Sequence, residues 1–134
     1  TTIIEQTAAG NNQNKEQTCR QADGRYCDHG DGTVSDNRTI LMWQQRDDGE
    51  EKNWLEAVTY CQGLELAGKS DWRLPNLDEL TSIIKVQYFI ETKAKHYWSS
   101  TIEDDNKGAR YLKFSSGSTG WHEKTRGNYV RCVR

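Results

Sequence analysis

Four cysteines constrain the fold of this 134-residue chain more than any other feature. They are Cys19, Cys27, Cys61 and Cys132, and no two of them form a Cys-x-x-Cys pair. An even count without such a pair favours disulfides, and therefore a secreted or cell-surface protein, over a zinc site. Three pairings are open, and the alternative is four buried free thiols in a cytosolic protein. We favour Cys19–Cys27, closing a short hairpin, and Cys61–Cys132, joining a helix to the last strand.

The length fits one domain. Residues 1–18 are polar and predict a linker or stalk ahead of a domain over residues 19–134. The first residues lack the pattern of a signal peptide, so we interpret the sequence as a mature or excised part of a longer protein. No apolar run approaches the length of a membrane helix, so we expect no direct insertion into a membrane.

Turn and capping residues predict an α+β layout, with both helices ahead of most strands. Gly and Asp near residue 31 predict a tight turn in a hairpin over residues 25–44. Two capping boxes, each an Asn followed three residues later by Glu, predict helices beginning after Asn53 and Asn76. The remaining predictions are strands over residues 97–101, 110–114 and 128–133 and a flexible loop over residues 116–127.

A series of ordered motifs carries a family resemblance. They are Gly30–Asn37 with Leu41–Gln44, Trp54–Cys61, Ser70–Asn76 with Glu79–Leu80, Tyr97–Thr101, and Tyr129–Arg134. In this order they resemble the Lcl C-terminal domain family over about residues 25–134. The resemblance implies a C-type-lectin-like α+β fold, stapled by disulfides, in which two helices flank a small irregular antiparallel sheet. It also implies a bacterial surface adhesion module, with sulfated glycosaminoglycan binding and a homotrimer formed through the full-length protein.

The charge distribution points to a binding surface in the C-terminal third. Residues 93–134 carry nine Lys or Arg against four Asp or Glu, whereas residues 1–92 carry nine against 16. Arg and Lys bind sulfate or carboxylate, and aromatic faces stack on sugar rings. For Trp121 the alternative is a place in the core. The predicted ligand-binding residues are Lys107, Arg110, Tyr111, Lys113, Trp121, His122, Lys124, Arg126, Tyr129 and Arg131.

Metal, cofactor and catalytic chemistry have weaker signals. Asp28, Asp31 and Asp36 offer hard oxygen ligands, so a structural calcium ion stays open there beside a simple hydrogen-bonded turn. The three histidines lack the spacing of a metal site, and we expect no other cofactor and no ligand-binding metal. No nucleophile elbow or phosphate-binding loop is present, and disulfide-bonded cysteines leave no thiolate nucleophile. We therefore expect a binding protein and not an enzyme.

The function that these features predict is adhesion outside the cell. The expected partner is an extracellular polysaccharide, anionic or sulfated, bound by basic and aromatic side chains without calcium. The alternative is a protein–protein module of a surface or pilus-like assembly that binds a host receptor or its own copies. The acidic first part of an exported chain argues against nucleic acid as a partner.

Overall fold

The computed structural model of the chain describes residues 19–84, 86, 88–89 and 96–134, so the predicted linker lies outside the described residues. Its strands are β1 (Gln21–Ala22), β2 (Tyr26–Asp28), β3 (Thr33–Asp36), β4 (Leu41–Gln44), β5 (His96–Ile102), β6 (Gly108–Lys113) and β7 (Ser118–Glu123). Its helices are α1 (Trp54–Gly63) and α2 (Leu77–Thr81). The α+β class is confirmed. The strands form two antiparallel sheets, β1–β2–β3–β4 and β5–β6–β7, where a single sheet was expected.

The first sheet is a meander built by tight turns. Gly30 and Gly32 have φ angles of 77° and 93°, which glycine adopts without the strain of a side chain. They reverse the chain between β2 and β3, and β3 then pairs with β4 from Thr33↔Gln44 to Asp36↔Leu41. The predicted hairpin is therefore confirmed. The disulfide Cys19–Cys27 ties the start of the described chain to β2.

Ile40, in the turn between β3 and β4, is a strained residue on the surface. Its φ of 63° is left-handed, which costs a β-branched side chain about 1–2 kcal/mol, and the side chain is 80% exposed. We expect Ile40→Asn to raise the free energy of unfolding by about 1 kcal/mol, because asparagine tolerates this conformation and little burial is lost. Urea denaturation measures the change. Ile40→Val keeps the β-branched side chain and the strained backbone, so its free energy of unfolding should differ from that of wild type by less than roughly 0.5 kcal/mol. Equal stability of all three proteins would show that the backbone at residue 40 is not strained.

Both helices begin where the capping boxes predict. The side chain of Asn53 accepts a hydrogen bond from the Glu56 N–H, and the Glu56 carboxylate accepts one from the Asn53 N–H. Asn76 and Glu79 repeat this arrangement at α2. These reciprocal bonds satisfy backbone donors that a helix start otherwise leaves free. α2 has only 5 residues, so its position depends on packing against β5 and β6.

The second sheet differs from the sequence prediction in its last strand. Residues 118–123 form β7, which pairs with β6 from Gly108↔Glu123 to Lys113↔Ser118. The sequence predicts a flexible loop here, because the Ser, Thr and Gly residues of the segment are typical of loops. Pairing along β6 overrides that local preference, so the predicted binding loop is a rigid strand for half of its length.

The C-terminal segment lies between the two sheets. It makes isolated bridges to both, including Trp43↔Val133 and Tyr97↔Tyr129, and it forms no continuous strand of the predicted kind. Every residue from 128 to 133 is buried. The disulfide Cys61–Cys132 ties this segment to α1, so the second favoured pairing is also confirmed.

The core consists of two aromatic-rich clusters. One is centred on Trp43, Tyr97 and Leu80, and it joins the first sheet, α2 and the second sheet. The other surrounds the Cys61–Cys132 disulfide and contains Trp98. A few large aromatic side chains therefore supply much of the buried area in a chain that has only 34% hydrophobic residues.

Candidate functional site

The ten predicted ligand-binding residues do not share one surface. Tyr129 and Arg131 are buried, while Lys107, Trp121 and Arg126 are exposed. The other members are partly buried and lie on β6, on β7 or just after β7: Arg110, Tyr111, Lys113, His122 and Lys124. The predicted set therefore divides into core residues, packed sheet residues and a few exposed side chains.

Arg131 is a core residue, and its burial leaves no side-chain surface for the ligand contact that the sequence predicts. Its side chain is fully buried, with an exposed fraction of 0%. One guanidinium nitrogen donates to the carbonyls of Gln44 and Gln45, which links the C-terminal segment to the end of β4. The guanidinium also lies 5.1 Å from the ring centre of Phe89 and 5.5 Å from that of Tyr97. Tyr129 is likewise only 6% exposed and packs in the core.

Two of the remaining cations are engaged by neighbouring side chains. Arg110 pairs with Glu103 at 3.5 Å. The Lys124 ammonium donates to the Asn106 side chain at 2.9 Å and lies 4.4 Å from the ring centre of Trp54. A polyanion would compete with these contacts, so the number of positive charges free to bind it is smaller than the sequence suggests.

Tyr111 and His122 pack into an aromatic cluster with His96. The ring centres of Tyr111 and His122 are 4.3 Å apart, and His96 lies 4.4 Å from Tyr111. Burial, assisted by the positive charge of Arg126, lowers the pKa of His122 below its ordinary value, although a hydrogen bond that the Asn128 side-chain oxygen accepts from the ring opposes this. The His122 ring is therefore uncharged at neutral pH and adds nothing to a basic surface.

Trp121 is the aromatic side chain of the predicted set that reaches solvent. It is 50% exposed, so the alternative that it folds into the core is wrong. Its ring crosses the backbone of β6 at Gly108, where an added Cβ would lie 2.5 Å from the Trp121 Cε3 atom. Glycine at position 108 is therefore what allows the ring to lie flat over the start of β6.

Trp121 forms one wall of a cleft of about 290 Å³, and the other lining residues are Glu103, Asp104 and Asp105. These acidic residues occupy the turn between β5 and β6. Arg110, the cross-strand neighbour of Trp121, pairs with Glu103 and compensates only part of the charge. The exposed Trp therefore sits in negative surroundings, although the C-terminal third as a whole is basic.

This geometry favours some ligand chemistries over others. An exposed indole face stacks on the C–H face of a sugar ring or on a cation, and carboxylates accept hydrogen bonds from hydroxyl or ammonium groups. A sulfate group in the same cleft would meet like charges. The net positive charge of residues 93–134 as a block conceals these acidic residues in the sequence. The run Glu103-Asp104-Asp105 was the signal that could have found them.

The carboxylates considered for calcium are held by protein donors. Asp28 accepts hydrogen bonds from the Gly30 N–H and the side chains of Gln45 and Arg20. Burial would raise the pKa of Asp28, but these bonds outweigh it and the pKa lies below its ordinary value. Asp36 is paired in the same way with Arg25, at 2.9 Å through both oxygens. Asp28 and Asp36 thus each have their own cationic partner, and a calcium ion there stays a prediction.

The cysteines offer no thiolate chemistry, because all four of the chain are in disulfides. The group Cys19, Cys27 and His29 brings potential metal ligands within 4.8 Å of one another, but both of its sulfurs are bonded in this way. None of the described helices is long and apolar enough to cross a membrane.

Comparison with known proteins identifies the family. A family model for the Lcl C-terminal domain matches residues 32–134, which include the second half of the first sheet, both helices and the whole second sheet. No curated protein matches the chain. Since the family model covers most of the sequence, the chain belongs to the Lcl C-terminal domain family.

Proposed function

We propose that this domain is a surface adhesion module that binds a glycan in the cleft beside Trp121. Membership of the Lcl C-terminal domain family supports an adhesin-like module at the cell surface or in the medium. Two disulfides support the same location, because disulfides persist in oxidising compartments. The single observation that carries the site is the half-exposed Trp121 ring on the rigid strand β7.

The cleft chemistry sets the class of glycan. Glu103, Asp104 and Asp105 favour a sugar that donates hydrogen bonds, so we propose a neutral or amino-bearing glycan at this site. The sulfated polysaccharide implied by the sequence would instead use Lys107, Lys124 and Arg126. Lys107 and Lys124 are adjacent, because the Lys124 N–H donates to the Lys107 carbonyl at 3.0 Å. That basic group is the second candidate site.

Other parts of the sequence interpretation stay proposals. A C-type-lectin-like arrangement, in which binding does not use calcium, fits an adhesion module but rests on the resemblance alone. The absence of catalysis is proposed because no cysteine is available as a nucleophile. A protein receptor as the partner stays the alternative to a glycan, and an exposed aromatic surface would serve both.

Replacing Trp121 tests the glycan proposal. We expect Trp121→Ala to lower the affinity for neutral and amino-bearing oligosaccharides on the order of tenfold, about 1.4 kcal/mol, because the stacking surface is lost. Isothermal titration calorimetry with N-acetylchitohexaose, chitohexaose and a heparin hexasaccharide compares the three chemistries at one chain length. Gly108→Ala should give a similar loss with the indole still present, because the new Cβ displaces the ring.

A charge variant is the matched control for this experiment. Replacing Lys107, Lys124 and Arg126 together by Gln should leave the binding of the two chitin-type probes within a factor of about 2. If heparin binding survived Trp121→Ala and were abolished by the Gln variant, the binding site would be the basic group and not the cleft beside Trp121. Failure of the wild type to bind all three probes would overturn the glycan proposal and favour a protein receptor.

A further inference from the structure

The first disulfide has a histidine beside it, at the end of the first sheet. The sulfurs of Cys19 and Cys27 and a ring nitrogen of His29 lie within 4.8 Å of one another. Cys27 is in β2, where it pairs with Ala22 of β1 and Ser35 of β3. His29 follows β2 directly. Two members of the group are therefore held by a paired hairpin, and Cys19 comes from the exposed segment ahead of β1.

The two ring nitrogens of His29 face different partners. Nδ1 lies 3.4 Å from the Cys27 Sγ atom, and Nε2 lies 2.9 Å from the Ser35 Oγ atom. A histidine that binds a metal ion uses one nitrogen for the ion and donates the other N–H to a neighbouring acceptor. When the Ser35 hydroxyl accepts from the Nε2–H group, Nδ1 presents its lone pair toward the sulfurs. The ring is therefore oriented as a metal ligand with an outer partner of its own.

The distances fit one tetrahedral zinc ion. With Zn–S near 2.3 Å and Zn–N near 2.0–2.1 Å, a sulfur and a nitrogen on the same ion are about 3.6 Å apart, and two sulfurs about 3.8 Å. The distance from Cys27 to His29 is close to the first value. Once the disulfide is open, only the exposed Cys19 side chain has to move to reach the second. Arg20, the neighbouring cation, is already paired with Asp28 at 3.1 Å.

Zinc binding needs the two cysteines in their reduced state. The pair exists as thiols before the disulfide forms, and a small external thiol regenerates them. Its thiolate attacks the exposed Cys19 sulfur and expels the Cys27 sulfur; a second external thiol then releases Cys19, and the two external thiols leave as one disulfide. Zn²⁺ then binds two thiolates and displaces two protons. Cys61 and Cys132 belong to no such ligand group among the described residues.

We propose that Cys19, Cys27 and His29 form a zinc site in the reduced chain, where Zn²⁺ replaces the disulfide as the cross-link between the start of the domain and β2. Two thiolates and one imidazole are donors that suit zinc and not calcium or magnesium. Three protein ligands leave the fourth tetrahedral position to water. The oxidised protein lacks thiolates and does not form this site, so the cross-link is a disulfide or a zinc ion according to the redox state.

Cobalt is the spectroscopic probe for this site. The full chain is reduced anaerobically with a phosphine and desalted, and alkylation with peptide mapping identifies the reduced pair. Titration with Co²⁺ should give one ion per chain, with a thiolate-to-cobalt charge-transfer band and the visible bands of tetrahedral cobalt, and Zn²⁺ should displace it. His29→Gln, which keeps a polar group near Ser35 but has no imidazole, should lower the Co²⁺ affinity at least about tenfold and change the visible bands. Ser35→Ala should weaken binding about tenfold with the bands unchanged.

A cysteine variant is the matched control. Cys19→Ser/Cys27→Ser, treated in the same way, should show no charge-transfer band, which excludes Cys61 and Cys132 as the ligands. Zn²⁺ should raise the Tm of the reduced wild type and leave that of the oxidised protein unchanged.

Three results would overturn the zinc site. They are a reduced protein without the charge-transfer band, equal Co²⁺ affinity of His29→Gln and wild type, and loss of the fold on reduction that Zn²⁺ does not restore. The cleft beside Trp121 is on the second sheet, so oligosaccharide binding there should be equal with the disulfide and with zinc. The glycan proposal is therefore tested separately.

Discussion

Removing the disulfide between Cys61 and Cys132 should lower the free energy of unfolding by about 4 kcal/mol. The bond spans 71 residues, so its loss returns a large loop entropy to the unfolded chain. Both sulfurs are fully buried in the cluster around Trp98, and the double variant Cys61→Ala/Cys132→Ala avoids burying polar atoms there. Urea denaturation followed by tryptophan fluorescence measures the change.

The first disulfide is the matched control. Cys19–Cys27 spans only 8 residues and lies at the end of the first sheet, so the same model gives about 2.5 kcal/mol. Cys19 is exposed, and a mild thiol should therefore reduce this disulfide before the buried one. If both double variants lost the same free energy of unfolding, or if Cys61–Cys132 were reduced first, the buried disulfide would not be the main stabilising bond.

Replacing Arg131 by Ala should cost about 3–5 kcal/mol of folding free energy. The substitution leaves the carbonyls of Gln44 and Gln45 without their donor, and it opens a cavity beside the aromatic rings of the first core cluster. Arg131→Met keeps much of the volume, so it separates lost packing from lost hydrogen bonds. Thermal and chemical denaturation of the three proteins give the comparison.

Arg126 is the surface arginine that serves as the control for Arg131. It is exposed and was placed in the same predicted set as Arg131, so Arg126→Ala should change stability by less than roughly 0.5 kcal/mol. If Arg131→Ala folded with wild-type stability and lost only ligand binding, the assignment of Arg131 to the core would be wrong.

Local rules made the first half of the fold predictable. Asn53 and Asn76 begin helices because the capping box is a contact between residues three apart, which the sequence shows directly. The turn between β2 and β3 follows from glycines in the same way. Cysteine pairing was accessible for a similar reason, since a helical face placed Cys61 toward the core.

Features that depend on contacts between distant residues were not predictable. Residues 118–123 have loop composition and become a strand only because β6 offers a partner. The burial of Arg131 is not predictable, because the alternation of side chains in a strand indicates which face a residue is on but not whether that face is covered. Burial on both sides of the C-terminal segment follows from its place between two sheets. That arrangement has no local signal.

The composition of the site shows the same limit. Trp121 was selected together with Lys and Arg neighbours in sequence, whereas its neighbours in space are Glu103, Asp104 and Asp105. The turn that holds these acidic residues joins β5 to β6, so it lies beside the start of β6, where the Trp121 ring crosses Gly108. Net charge summed over a segment describes long-range attraction, and the side chains around a cleft decide which ligand fits it.

The most direct test of the glycan site is a ¹H–¹⁵N correlation spectrum recorded during titration with chitohexaose, N-acetylchitohexaose and a heparin hexasaccharide. The indole N–H signals report each tryptophan separately, and Trp121→Ala assigns the signal of interest. We expect the chitin-type probes to shift the signals of the Trp121 indole and the amides of residues 103–105, and to leave those of the buried Trp43 and Trp98 unchanged. Shifts that are confined to the signals of Lys107, Lys124 and Arg126, and that only the heparin hexasaccharide causes, would contradict a glycan site beside Trp121.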